Sequence, residues 1–229
     1  RWNIFYLLRL RKMLLRFEFE KVFDLQNSSR TNFYRKFFFK GVDWSSSETS
    51  LEKNQKKLDF DNDPVLKRMK IQLQKSLIKT KYTENLDLTW AFKNIKPIIN
   101  QHIDGEYIAI FPFSSEKHKN KIWPYFSDLI KEIKSIFGEK YNIVIAPAPN
   151  EIEKAKNLGA NIILNNGKAL DLIELISFIK EASYVVSNDT GPAHISSHLN
   201  KKGLVLFGSH VSPNKVSIGE NNMKALEVK

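Results

Sequence analysis

At 229 residues, with 42% apolar and 12% aromatic side chains, the chain can bury one good core or two small ones and is too apolar for a disordered protein. It has no cysteine, which excludes a disulfide framework or a thiolate metal site and fits a reducing cytoplasm. The formal net charge is +11, and residues 1–40 hold ten basic side chains against Glu18, Glu20 and Asp24. Such a front end is either a solvated lysine-rich surface or a contact for an anionic partner: a phosphorylated glycan, an anionic lipid surface or nucleic acid.

Taken in chain order, the first expected element is a helix over residues 4–17. Its apolar run is interrupted by Arg9, Arg11, Lys12 and Arg16, which is too polar for a membrane span. No small-residue cleavage site follows, so it does not read as a signal peptide. Two readings remain, a basic helix lying on a membrane surface and a helix packed on its own domain, and the second is preferred. The chain begins at Arg1 rather than methionine and stops at Lys229 just after a strand-like run, so both ends are expected to be cut. A short strand is expected at 21–25 and a helix at 28–39, ending near Gly41. Phe37, Phe38 and Phe39 beside Lys36 and Lys40 are the one candidate for nucleic-acid stacking and read better as a buried helix end. Residues 43–62 are polar and irregular, a loop by composition. Asp63-Pro64 opens a helix to about Lys79, with the acidic residue as cap. Residues 86–100, which include Pro97, read as a connector.

From Glu106 the rhythm changes to apolar strands alternating with amphipathic helices. Strands are expected at 107–111, 142–146, 161–164, 184–187 and 204–207, and helices at 124–137, 151–158, 170–182 and 192–199. This alternation predicts a parallel sheet with right-handed crossovers. Runs such as Ile143-Val144-Ile145 are apolar on both faces, as strands are when helices cover both sides. The expected division is therefore a domain over 1–100 and a Rossmann-like α/β domain over 101–229. Ligands of such sheets bind beyond the carboxyl ends of the strands, so the loops after the strands carry the chemistry.

The loop Ser187-Asn188-Asp189-Thr190-Gly191-Pro192-Ala193-His194 has the parts of an anion site. Small hydrogen-bonding residues turn the chain, glycine lets backbone approach a ligand, and proline opens the helix with its φ already set. Free N–H groups and the positive dipole end then face the ligand, with Thr190 and His194 as further donors. The plain alternative is that Asp189 or Thr190 only caps the helix. His194 and His198 stand four apart, but no third ligand is evident, so no metal site is read here. In the loop after the first strand of this half, Ser114, Ser115 and Lys121 precede a helix opening at Pro124, a second phosphate-type arrangement; an exposed lysine loop is the alternative. After the next strand, Glu151 either complements a helix dipole or accepts from ribose hydroxyls.

Together, Val185 to His194 through Leu206-Phe207-Gly208, the Ser114-Ser115…Lys121-Ile122-Trp123-Pro124 segment and Phe23-Asp24-Leu25-Gln26-Asn27-Ser28-Ser29-Arg30 resemble the lipopolysaccharide heptosyltransferases, glycosyltransferase family 9. The resemblance implies a GT-B α/β architecture: two Rossmann-like domains with parallel sheets, the acceptor on the first and the sugar nucleotide on the second. By position, Ser114, Ser115, Lys121, Thr190, Gly191 and His194 would contact the donor diphosphate. Glu151 would meet the nucleoside, and Asp189 the donor sugar or its phosphate. The donor would be a nucleotide sugar of the ADP-heptose kind and the acceptor an anionic glycolipid. Transfer would invert the anomeric centre in the cytoplasm, with peripheral contact at the inner face of the inner membrane, no nucleic acid and no obligatory metal or cofactor.

The pattern is broken in places. The family's opening strand and Gly-Asp loop, which by the resemblance supplies the general base, would lie ahead of Arg1, leaving the first domain incomplete and no catalytic residue assigned here. Asp24 is an available carboxylate that reads as a strand end. Phe113 stands where the family has glycine, two residues lengthen the loop before Lys121, and the closing C-terminal helices are missing. The alternative is a non-catalytic module or fragment that binds a sugar nucleotide or phosphoglycan.

Overall fold

The computed structural model describes residues 3–81, 83, 84, 86–208, 213–216, 218 and 222–228. The chain forms two compact units, Arg1–Glu84 and Asn85–Lys229.

In the first unit, helix α1 (Ile4–Leu14) starts at Asn3, whose side chain accepts from the N–H groups of Phe5 and Tyr6. Leu7, Leu10 and Leu14 lie on one face, at helical spacing, and pack on a cluster of Phe38, Phe39 and Trp44. Ile4, Phe5 and Leu8 point outward. Of the three consecutive phenylalanines, Phe38 and Phe39 are buried and Phe37 is exposed. Strand β1 (Lys21–Phe23) leads to α2 (Ser29–Phe37), opened by a reciprocal capping box between Ser28 and Thr31. The stretch expected to be loop holds β2 (Asp43–Ser45), a 3-10 turn (Glu48–Ser50) and α3 (Lys57–Asn62). Three residues are too few to show a two-residue period. Pairing creates this strand: β2 runs parallel to β1 and buries Trp44. Helix α4 (Val65–Lys75) follows Pro64 without a side-chain cap, and Asp63 bonds Lys67 instead. It ends short of Lys79 because Leu77 takes φ 60°, outside the helical region. From α4, the fully buried Gln72 donates to the carbonyls of Asp24 (3.0 Å) and Ser45 (2.9 Å), tying the helix to the ends of both strands.

The second unit begins with the segment expected to be connector. A 3-10 turn (Thr89–Ala91) and α5 (Lys96–Ile99), with Pro97 in its first turn, bury Ala91, Ile95 and Ile99. Then follow β3 (Tyr107–Phe111), α6 (Phe126–Phe137), β4 (Asn142–Ile145), α7 (Ile152–Ala155), β5 (Asn161–Ile162), α8 (Leu172–Glu181), β6 (Tyr184–Asn188), α9 (Gly191–His198), β7 (Gly203–Phe207) and β8 (Met223–Glu227). All six strands are parallel, in the order β5-β4-β3-β6-β7-β8. The expected strands are all present, and the strand-like run at the chain's end forms β8.

Alternation along β3 splits the core in two. Tyr107, Ala109 and Phe111 pack with Phe178 and Ile179 of α8, whereas Ile108 and Ile110 pack with Phe126 and Ile130 of α6. Each isoleucine or phenylalanine among them contributes about 1.5–3 kcal/mol on leaving water. Gly203 opens β7 because a Cβ there would lie 2.5 Å from the Val185 carbonyl oxygen. Among the described residues no helix is long and apolar enough to cross a membrane.

Candidate functional site

Strand order locates the site of the second unit. From β3 the chain moves outward through β4 and β5, then returns to β6 on β3's other side and continues through β7 and β8. The loops leaving β3 and β6 therefore diverge in opposite directions, which opens a crevice at their carboxyl ends.

After β6, helix α9 begins without a side-chain cap. The capping alternative is not what forms. Thr190 Oγ1 donates to the Asn188 carbonyl (3.3 Å), and the Asp189 carboxylate turns aside to Lys121. Pro192 has no N–H, and those of Ala193 and His194 turn back to the Thr190 carbonyl, so what α9 offers an anion is the Gly191 N–H and the positive end of the dipole. A Cβ on Gly191 would meet nothing within 4 Å, so the missing side chain leaves open space at the helix's entrance.

The loop after β3 is held at both ends by one residue that sequence reasoning passed over. Asn188, fully buried at the end of β6, donates from Nδ2 to the Pro112 carbonyl (2.9 Å) and accepts at Oδ1 from the Trp123 N–H (3.1 Å). An amide is the side chain that can do both. Its signal was faint: a polar residue closing an otherwise apolar strand. Between these anchors the loop turns through a kinked 3-10 stretch (Glu116–Lys121), steadied by Ser114 Oγ donating to the His118 carbonyl at 2.7 Å.

Lys121 ends that turn with its ammonium on Asp189, 2.6 Å from Oδ2 and 3.2 Å from the carbonyl. The Asp189 side chain is 4% exposed, and its other oxygen lies 3.9 Å from His194 Nε2. Burial lowers the pKa of His194, Asp189 raises it and Lys121 lowers it, and the result lies below the usual value. His194 is therefore neutral at pH 7, and it has an N–H to donate. The three groups form one electrostatic unit in which a carboxylate sits between an ammonium and an imidazole.

Beside it lies a cleft of about 290 Å³ that gathers Ser114, Ser115, Glu151 and Thr190. Phe111, Phe113, Ile145 and Leu175 supply apolar walls of the kind that grip a flat heterocycle. Glu151 precedes α7 and uses one oxygen to accept the Ala148 N–H (2.9 Å), closing its own loop. All eight residues singled out in the sequence thus fall on three neighbouring strand-end loops. Four line the cleft, three form the charged unit, and Gly191 opens α9.

The model of glycosyltransferase family 9 (heptosyltransferase) matches residues 7–226. The chain belongs to this family.

No curated protein matches the family 9 chain in sequence. Among solved structures it is similar to E. coli ADP-heptose LPS heptosyltransferase II, with TM-score 0.60 and 17% identity over 95% of this chain and 71% of that one. It is similar also to E. coli heptosyltransferase WaaC with ADP, with TM-score 0.57 and 16% identity over 92% and 67%. A third is the family 9 glycosyltransferase of Veillonella parvula, with TM-score 0.59 and 15% identity over 86% and 54%. Identities this low speak for the fold, a GT-B α/β architecture. The chain spans roughly two thirds of the length of the E. coli proteins.

Proposed function

We propose that this family 9 chain is the donor-binding part of an inverting glycosyltransferase that moves a heptose or similar sugar from a nucleoside diphosphate to a lipopolysaccharide-type glycan. The observation that carries the reading is the convergence of two loops at the switch point, where the uncapped α9 N-terminus meets Lys121 and His194. In this reading the diphosphate lies across the α9 N-terminus, within reach of Ser114, Ser115, Thr190 and the Gly191 backbone. Glu151 takes the ribose hydroxyls at the rim of the apolar cleft. That WaaC has been solved with ADP supports adenine as the base.

Inverting transfer needs a base for the acceptor hydroxyl and positive charge for the departing diphosphate. The α9 dipole and the His194 N–H supply part of the second requirement. Lys121 supplies the rest once the diphosphate draws its ammonium from Asp189, whose carboxylate then faces the sugar hydroxyls. No residue of the chain is assigned as the base. Peripheral contact with the cytoplasmic face of the inner membrane is part of the proposal, supported by the outward Phe5 and Leu8 of basic helix α1.

The test is transfer itself: the full-length protein, ADP-heptose and a heptose-deficient lipopolysaccharide, with the product followed by mass spectrometry. Addition of one heptose, abolished by His194→Ala, supports the enzyme. Binding of ADP without transfer would leave a sugar-nucleotide-binding module.

A further inference from the structure

The apolar wall of the donor cleft is continued by the segment that follows β5. After the fully buried Ile163 the chain reverses in a two-residue turn. Asn165 and Lys168 exchange backbone hydrogen bonds of 2.8 and 3.0 Å, and Asn166 and Gly167 between them take φ 49° and 75°. Leu170 then lines the cleft, together with Leu175 of α8. Both leucines are only partly buried, so their place depends on how this loop is held.

Glu174 holds it. This residue, in the first turn of α8, is 5% exposed, and three donors share its two oxygens. Oε2 accepts the Asp171 N–H at 2.9 Å, and Asp171 in return accepts the Glu174 N–H at 2.7 Å. That pair alone completes the capping box that starts the helix. Oε1 goes further: it accepts from Asn165 Nδ2 at 2.7 Å and from Lys93 Nζ at 2.8 Å. Lys93 is itself fixed, since its N–H donates to the buried Ser177 hydroxyl one turn along α8. Burial raises the Glu174 pKa, but the bonds from Lys93, Asp171 and Asn165 outweigh it, and the carboxyl lies below its usual range. The group is thus an anion whose two oxygens take three donors, where an amide has one oxygen to offer.

We infer that Glu174 is a positioning residue for the nucleoside end of the donor: through Asn165 and Asp171 it fixes the loop that presents Leu170 to the cleft, and so sets the wall against which the base lies. The inference rests on the donor reading above.

The experiment is calorimetric titration of the full-length protein with ADP and, separately, with inorganic pyrophosphate, which has no base. Glu174→Gln removes the carboxylate at nearly constant size. Asn165→Ala cuts only the tie to the turn and leaves the capping box and the Lys93 pair in place. The expected result is that ADP binds about tenfold more weakly in each variant while pyrophosphate affinity stays as in the parent. A damaged fold would weaken both ligands. Equal loss of ADP and pyrophosphate, or unchanged ADP affinity in either variant, would overturn this inference alone. A parent protein that binds neither ligand overturns the donor reading, and this inference with it.

Discussion

The ammonium of Lys121 and the carboxylate of Asp189 lie 2.6 Å apart, bridging two loops that leave neighbouring strands in opposite directions. Each residue has a reason to meet a sugar nucleotide, and in the free protein they meet each other. The pair keeps a buried carboxylate compensated while the site waits. Asp189→Asn removes the competitor for Lys121 without changing the shape of the loop. ADP should then bind about fivefold more tightly, the effect of releasing an interaction of about 1 kcal/mol. Weaker binding, measured by fluorescence anisotropy of a labelled nucleotide, would show that Asp189 itself is needed by the diphosphate.

Asn188 sets the loop that carries Lys121. Asn188→Ala leaves the Pro112 carbonyl and the Trp123 N–H unpaired, at a cost of about 1–3 kcal/mol for each group that stays buried. The loop should become mobile while the sheet persists. Hydrogen exchange should accelerate at residues 113–123 and remain slow in β3 and β6.

The expected unit 2 strands were legible because both faces are buried, and runs such as Ile143-Val144-Ile145 announce that without any tertiary information. Strand β2 was not, since three residues carry no period, and α5 was hidden by reading Pro97 as a break when it opens a helix. In the site, the residue types of Ser114, Lys121, Thr190 and His194 advertised their chemistry. The Lys121–Asp189 pair and the Asn188 clamp did not, because both depend on β3 and β6 lying side by side across more than sixty residues of chain.

Gly191 separates structure from binding. Its backbone is not in the left-handed region, and a Cβ would touch no protein atom within 4 Å. Gly191→Ala should fold with a melting temperature equal to or above that of the parent, since alanine favours the helix by up to about 1 kcal/mol. Nucleotide binding should still fall, because the methyl group occupies the entrance to α9. A large loss of stability would mean the glycine serves the fold.

The pH dependence has a definite sign. Burial is the main cause that lowers both His194 and His198 below the usual 6.5, with the neighbouring His194 adding to the effect at His198. The unfolded chain therefore takes up protons at a higher pH than the folded one. Stability is fully present above pH 6.5 and is lost as pH falls through the folded values. Thermal melts from pH 7.5 to 5.5 should show this decline, and it should flatten in a His194→Gln/His198→Gln double variant.

Calorimetric titration of the full-length protein with ADP is the most direct test of the central claim, that the loops after β3 and β6 form a diphosphate site. The account predicts a dissociation constant on the order of micromolar, weakened by His194→Ala and by Lys121→Ala. A folded protein that takes up no ADP, or one whose affinity neither substitution changes, would contradict it.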